Sequence, residues 1–175
     1  LSLHDALPIS TAGLVAIERL KAGDVVISTN PDTLETASKT VLETYVRKVD
    51  KLVHLTINGE EIVTTDNHPF YVQGRGFINA GSLLVGDKLI SVNGEDLFVE
   101  KHYIEETDVP VDVYNFQVED HHTYFVGESA VWVHNDMCQP QNVPDGMGQY
   151  KDKKVIIQWL KRLLKVQKDM IIPKL

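Results

Sequence analysis

The chain has 175 residues, 43% hydrophobic and 24% charged, with a formal net charge of −8, an ordinary make-up for one globular domain plus a tail. No apolar run approaches the ~20 residues that a membrane helix needs, and the opening residues lack the basic stretch and apolar core of a secretory signal. The acidic balance disfavours nucleic acid as a partner, and the single cysteine, Cys138, excludes an intrachain disulfide framework or a multi-cysteine zinc site.

The chain opens without Met and is expected to be a piece of something longer. Residues 1–10 read as foreign, similar to a translated sequencing-adaptor read-through, and residues 1–8 are expected to be foreign or disordered. From there the body reads as strands. Short β-branched or aromatic runs occupy 25–28, 52–58, 61–64, 70–72, 88–92, 113–118, 124–126 and 131–134, each bounded by turn chemistry. Asn58-Gly59 and Asn93-Gly94 suit two-residue hairpin turns, whose central positions both want positive φ. Helical periodicity is absent from this stretch, so residues 9–135 are expected to form one all-β domain.

The body contains a repeat. Leu20, Gly23, Asp24, Ile27 and Ser28 recur at the same spacing as Leu83, Gly86, Asp87, Ile90 and Ser91, giving the pattern L-x-x-G-D-x-Φ-I-S, where Φ is aliphatic. Each copy reads as a short helical turn ended by Gly, with an Asp placed to bond backbone N–H groups. Two copies predict a β-domain of two pseudo-symmetric halves. Glu18, Asp24 and Asp87 are accordingly taken as structural.

Residues 136–150 are rich in Pro, Gly and Gln and read as a linker. Residues 151–175 carry 8 Lys/Arg against 2 Asp/Glu, leaving 9 basic and 23 acidic residues before them. Val155, Ile156, Trp159, Leu160, Leu163 and Leu164 recur there at helical spacing, which predicts a basic amphipathic helix outside the β-domain. It reads as the start of a truncated downstream region in preference to a membrane-contacting helix.

Three short segments carry chemistry: Thr65 and His68 in T-T-D-N-H-P-F, His122 in H-T-Y-F-V, and His134-Asn135 in V-W-V-H-N. An Asn side-chain amide can attack its own carbonyl carbon, closing a succinimide and breaking the peptide bond that follows; no second reactant has to be positioned. The reaction is slow unless a group such as His moves the proton to the departing amine. His4, His54, His102 and His121 have no such context.

Taken in order with L-x-x-G-D and V-Y-N-F-x-V (113–118), these signatures resemble the Hint (Hedgehog/intein) superfamily, and among its members most nearly the pretoxin Hint domain of bacterial polymorphic toxins. The resemblance implies an intein-like, pseudo-twofold horseshoe β-fold. It implies that His122 and His134 assist cyclisation of Asn135, and that Thr65 and His68 activate the opposite junction. It also implies a module that acts once, on its own chain, between an N-terminal delivery region and a C-terminal toxin in a secreted or cell-surface parent. No cofactor is implied; some members bind zinc as an inhibitor, but no residue pattern here demands a metal.

Two departures matter. Asp136, not Cys, Ser or Thr, follows Asn135, so cleavage without splicing is expected; Cys138 stands three residues after Asn135. Family members typically begin C-F-x-x-G-T, and this chain has no Cys near its start; Ser2 lacks the surrounding motif. The alternative reading is therefore a non-catalytic scaffold or spacer that keeps the fold without its N-terminal nucleophile.

Overall fold

A computed structural model describes residues 6–135. The predicted linker (136–150), amphipathic helix (151–175), Cys138, Ser2 and the first five residues lie outside the described residues. Eleven strands follow in order: β1 (Ile9–Ser10), β2 (Gly13–Leu14), β3 (Val25–Thr29), β4 (Thr36–Ile57), β5 (Glu60–Thr64), β6 (Pro69–Val72), β7 (Gly76–Asn79), β8 (Lys88–Ile90), β9 (Asp96–Val118), β10 (Thr123–Val126) and β11 (Val131–His134). Two 3-10 turns, Ile17–Arg19 and Ala80–Ser82, are the helical elements among the described residues. The body is nearly all β, as expected.

The strands join in the order β10-β11-β6-β8-β9-β4-β3-β1-β2, with β5 added on β4 and β7 on β6. The long strands β4 and β9 hold this arrangement together. β4 pairs with β3 through residues 36–40 and then with β9, while β9 pairs with β8 through residues 96–98 before joining β4. Register shifts at Val41/Glu43, Val49/Lys51 and Thr56/Ile57 mark bulges, which let so long a ribbon bend and twist. The main core gathers Val53, Leu55, Ile57, Phe70, Leu89, Phe116, Tyr124 and Val133; a second cluster holds Ile27, Tyr71, Ile90, Phe125 and Trp132.

The internal repeat is a structural duplication through its Gly-Asp turns. The Asp24 carboxylate accepts the Lys21 N–H at 3.0 Å, and the Asp87 carboxylate accepts the Leu84 N–H at 2.9 Å. Gly23 donates to the Val41 carbonyl and Gly86 to the Val99 carbonyl, each at 2.8 Å. Those glycines have φ of 95° and 93°, a region open to residues without Cβ. Leu20 and Leu83 are both buried behind these turns.

Two expectations need correction. Asn58-Gly59 forms the hairpin turn foreseen, with φ of 47° and 83°, but Asn93-Gly94 does not. In that turn Gly94 alone has positive φ, because the Ser91 hydroxyl accepts the N–H groups of both Asn93 and Glu95 and closes a longer loop around itself. The strands predicted at 52–58 and 113–118 are the ends of β4 and β9, each more than 20 residues long. Residues 6–10, the first described, are bonded into the body. Ala6 accepts from Ile17 N–H, Leu7 from Gly127 N–H, and Pro8 bridges to Val126. The Ser10 hydroxyl donates to the Gly13 carbonyl at 2.8 Å and accepts the Ala12 N–H at 3.0 Å.

Candidate functional site

Sheet register assembles the site. β10 and β11 form a hairpin in which Thr123 faces His134. The Glu60 carboxylate secures its turn by accepting the N–H groups of Glu128 and Ser129. One residue further along the pairing, the Asn135 N–H donates to the His122 carbonyl at 2.8 Å. On its other side β11 meets β6 through Val133 and Phe70; continuing that register by two residues brings His68 level with Asn135. The Asn at the end of β11 is thus bonded to His122 on one side, with β6 and the His68 that precedes it on the other.

The Asn135 side chain is buried, and its Nδ2 donates to the Phe116 carbonyl at 2.5 Å. Its Oδ1 is buried without a hydrogen-bond partner among the described residues. The amide is therefore fixed at its nitrogen, the atom that would attack. Phe116 is in turn set by β9 and by Asn115, whose Oδ1 accepts the Phe116 N–H at 2.9 Å and the Tyr124 hydroxyl at 3.4 Å. The Tyr124 ring lies 4.3 Å from Phe116 and 6.1 Å from His68, forming a common floor. Burial pushes the Tyr124 phenol well above its usual range.

The two sets of histidines differ. His68 is buried, its Nε2 has no partner among the described residues, and its ring stands edge-on to Phe70 at 5.8 Å. Burial holds its pKa well below the usual histidine value of 6.5, with His134 and Arg47 pushing the same way, so it is neutral at pH 7. His122 is exposed and His134 half-buried. Their rings lie 6.4 Å apart, and His134 packs edge-on against Phe77 at 5.1 Å.

Thr65 sits in the turn before His68, where its hydroxyl donates to Asn67 Oδ1 at 3.0 Å. Arg47 of β4 reaches across to both, with Nη2 3.3 Å from Thr65 Oγ1 and 3.0 Å from Asn67 Oδ1. The sequence gives no hint of Arg47, since nothing in the spacing links β4 to this turn. The other histidines have separate roles. His54 lies between Glu61 and Glu105, His102 bonds the Ala80 carbonyl, and His121 is buried. Among the described residues no group of three or more His, Cys, Asp or Glu side chains could hold a metal.

The profile of the pretoxin Hint domain matches residues 8–136. The chain belongs to this family. Among solved structures, the bacterial intein-like domain of Clostridium thermocellum is 56% identical, with a TM-score of 0.74 over 77% of this chain and 97% of that one. A DnaB intein from Synechocystis shares the fold at 19% identity and a TM-score of 0.64, covering 78% of this chain and 98% of the intein. An uncharacterized protein of Methanocaldococcus jannaschii is 33% identical over 108 residues, 58% of this chain; the match spans 15% of that relative's length. The pretoxin Hint body is thus an intein-like module.

Proposed function

We propose that this pretoxin Hint domain is a single-use autoprocessing module that cuts its own chain after Asn135. The reading is carried by the Asn135 carboxamide, buried with its nitrogen fixed on the Phe116 carbonyl and its backbone N–H on His122. In the reaction Nδ2 bonds to the Asn135 carbonyl carbon, closing a succinimide, and the bond from that carbon to the Asp136 nitrogen breaks. Nδ2 gives up a proton and the departing amine gains one. His134, with His122 beside it, carries that proton, the role for which imidazole suits neutral pH. Asp136 offers no hydroxyl or thiol to receive an acyl group, so the product is cleaved and not spliced.

Thr65 and His68 then serve the upstream junction. A neutral, buried His68 holds a ring N–H or lone pair for a scissile amide, and Thr65 is locked by Asn67 and Arg47 to stand beside it. In the parent protein the domain stands between an N-terminal delivery region and a C-terminal toxin, which the cut at Asn135 frees outside the producing cell. Membership of a pretoxin family supports this context.

Purified full-length protein incubated at neutral pH, with intact mass followed over days beside Asn135→Ala, tests the reading. Cleavage yields an N-terminal fragment ending at Asn135 that the variant does not produce. A chain that stays whole in both samples favours a Hint-fold spacer.

A further inference from the structure

Residues 119–122 connect β9 to β10 by an unusual path. Asp120 and His122 have φ of 58° and 53°, left-handed conformations that residues with Cβ adopt at a cost. The consequence for His122 is specific. Regular alternation would place its side chain on the face of Tyr124, towards the core. The left-handed backbone instead leaves the ring exposed and 6.4 Å from His134, with its carbonyl on the Asn135 N–H.

Three anchors hold this turn. Lys39 of β4 donates to Asp120 at 2.7 Å, with Glu119 and Glu35 adding attraction. The His121 side chain, next in the turn, is buried. Thr123 Oγ1, fully buried, accepts the Thr29 N–H at 3.1 Å, donates to the Thr29 carbonyl and meets Ser28 Oγ at 3.2 Å. Among the described residues none of these groups is hydrogen-bonded to Asn135. Ser28 closes one copy of the repeat, whereas its counterpart Ser91 spends its hydroxyl on its own turn. The two copies have therefore diverged in function: one builds a loop, the other grips the strand behind His122.

We propose that Lys39 and Thr123 are positioning residues for cleavage at Asn135, acting by holding the 119–122 turn so that His122 stays left-handed, beside His134 and bonded to Asn135. This rests on the autoprocessing reading for its rate but not for its geometry. Two measurements on the full chain separate them: the first-order rate of cleavage at Asn135, and hydrogen exchange at the Asn135 amide followed by NMR in uncleaved protein.

Lys39→Glu is expected to slow cleavage about fivefold, the scale of an ion pair near the surface, and to speed Asn135 amide exchange by a similar factor. Lys39→Glu combined with Asp120→Lys restores both. Thr123→Val slows cleavage about tenfold and Thr123→Ser recovers most of the loss, while melting temperatures of the Lys39 variants stay near that of the parent chain. If the amide exchange of Asn135 is unchanged in both Lys39→Glu and Thr123→Val, or the swapped pair restores nothing, the proposal is overturned whether or not the chain cleaves. If exchange responds as expected and no Asn135-dependent cleavage occurs in the parent chain, the positioning stands and the autoprocessing reading fails.

Discussion

Asn135 stands between two unlike neighbourhoods. On the β6 side everything is closed: His68 is buried, neutral and edge-on to Phe70, and the turn before it is tied by Thr65, Asn67 and Arg47. On the other side His134 of β11 is half-buried, and His122, just before β10, reaches solvent through a left-handed backbone. A proton-transfer group needs exchange with water, which the open side supplies. A buried neutral imidazole suits polarisation of an amide held against it. On the proposed reading, cyclisation therefore falls to His122 and His134, and the upstream junction to His68.

The largest effect should come from destroying what both sides share. Tyr124→Ala removes the common floor and is expected to cost about 3–5 kcal/mol, as for other buried aromatics, read as a lower denaturation midpoint with loss of any cleavage. The sharpest separation comes next. His134→Ala is expected to slow cleavage at Asn135 about 100-fold, the ordinary scale of general acid–base help, whereas His68→Gln stays within about threefold of the parent rate. Equal losses in the two variants would dissolve the distinction.

Arg47→Met should act on the closed side alone. It removes one charged partner from Thr65 and Asn67 and is expected to cost about 1–2 kcal/mol of stability with cleavage at Asn135 almost unchanged. The smallest effect is a pH slope. His68 and His121 both have pKa values lowered by burial from 6.5, so below that value the unfolded chain binds protons that the folded chain refuses. Their contribution is intact above pH 6.5 and is lost as pH falls towards the depressed folded values. Melting temperatures measured from pH 7 to 5 should decline, and less steeply for His68→Gln.

Much of this was legible in the sequence because it was written in local patterns. The L-x-x-G-D copies announce a duplication since each needs a Gly at positive φ and an Asp whose carboxylate accepts a nearby backbone N–H. His122 and His134-Asn135 stand at strand ends, so their meeting follows from one hairpin. The parts that escaped are long-range or polar. Residues 42–51 and 105–112 are exposed along most of their length, so no apolar alternation marks them as strand, and the ribbon was read only at its buried ends. Arg47 projects from that same stretch, which explains why the partner of Thr65 was invisible. The Ser91 loop was missed because a hydroxyl two residues earlier outweighed the preference of Asn93-Gly94.

The most direct test of the central claim is the chemical form of the new C-terminus. High-resolution mass analysis of the terminal peptide from freshly cleaved protein should find Asn135 dehydrated, as a succinimide that opens with time to the hydrated form. A fragment that ends in an unmodified Asn135 from the first time point, released as fast from His134→Ala as from the parent chain, would mean hydrolysis by another agent and would contradict the account.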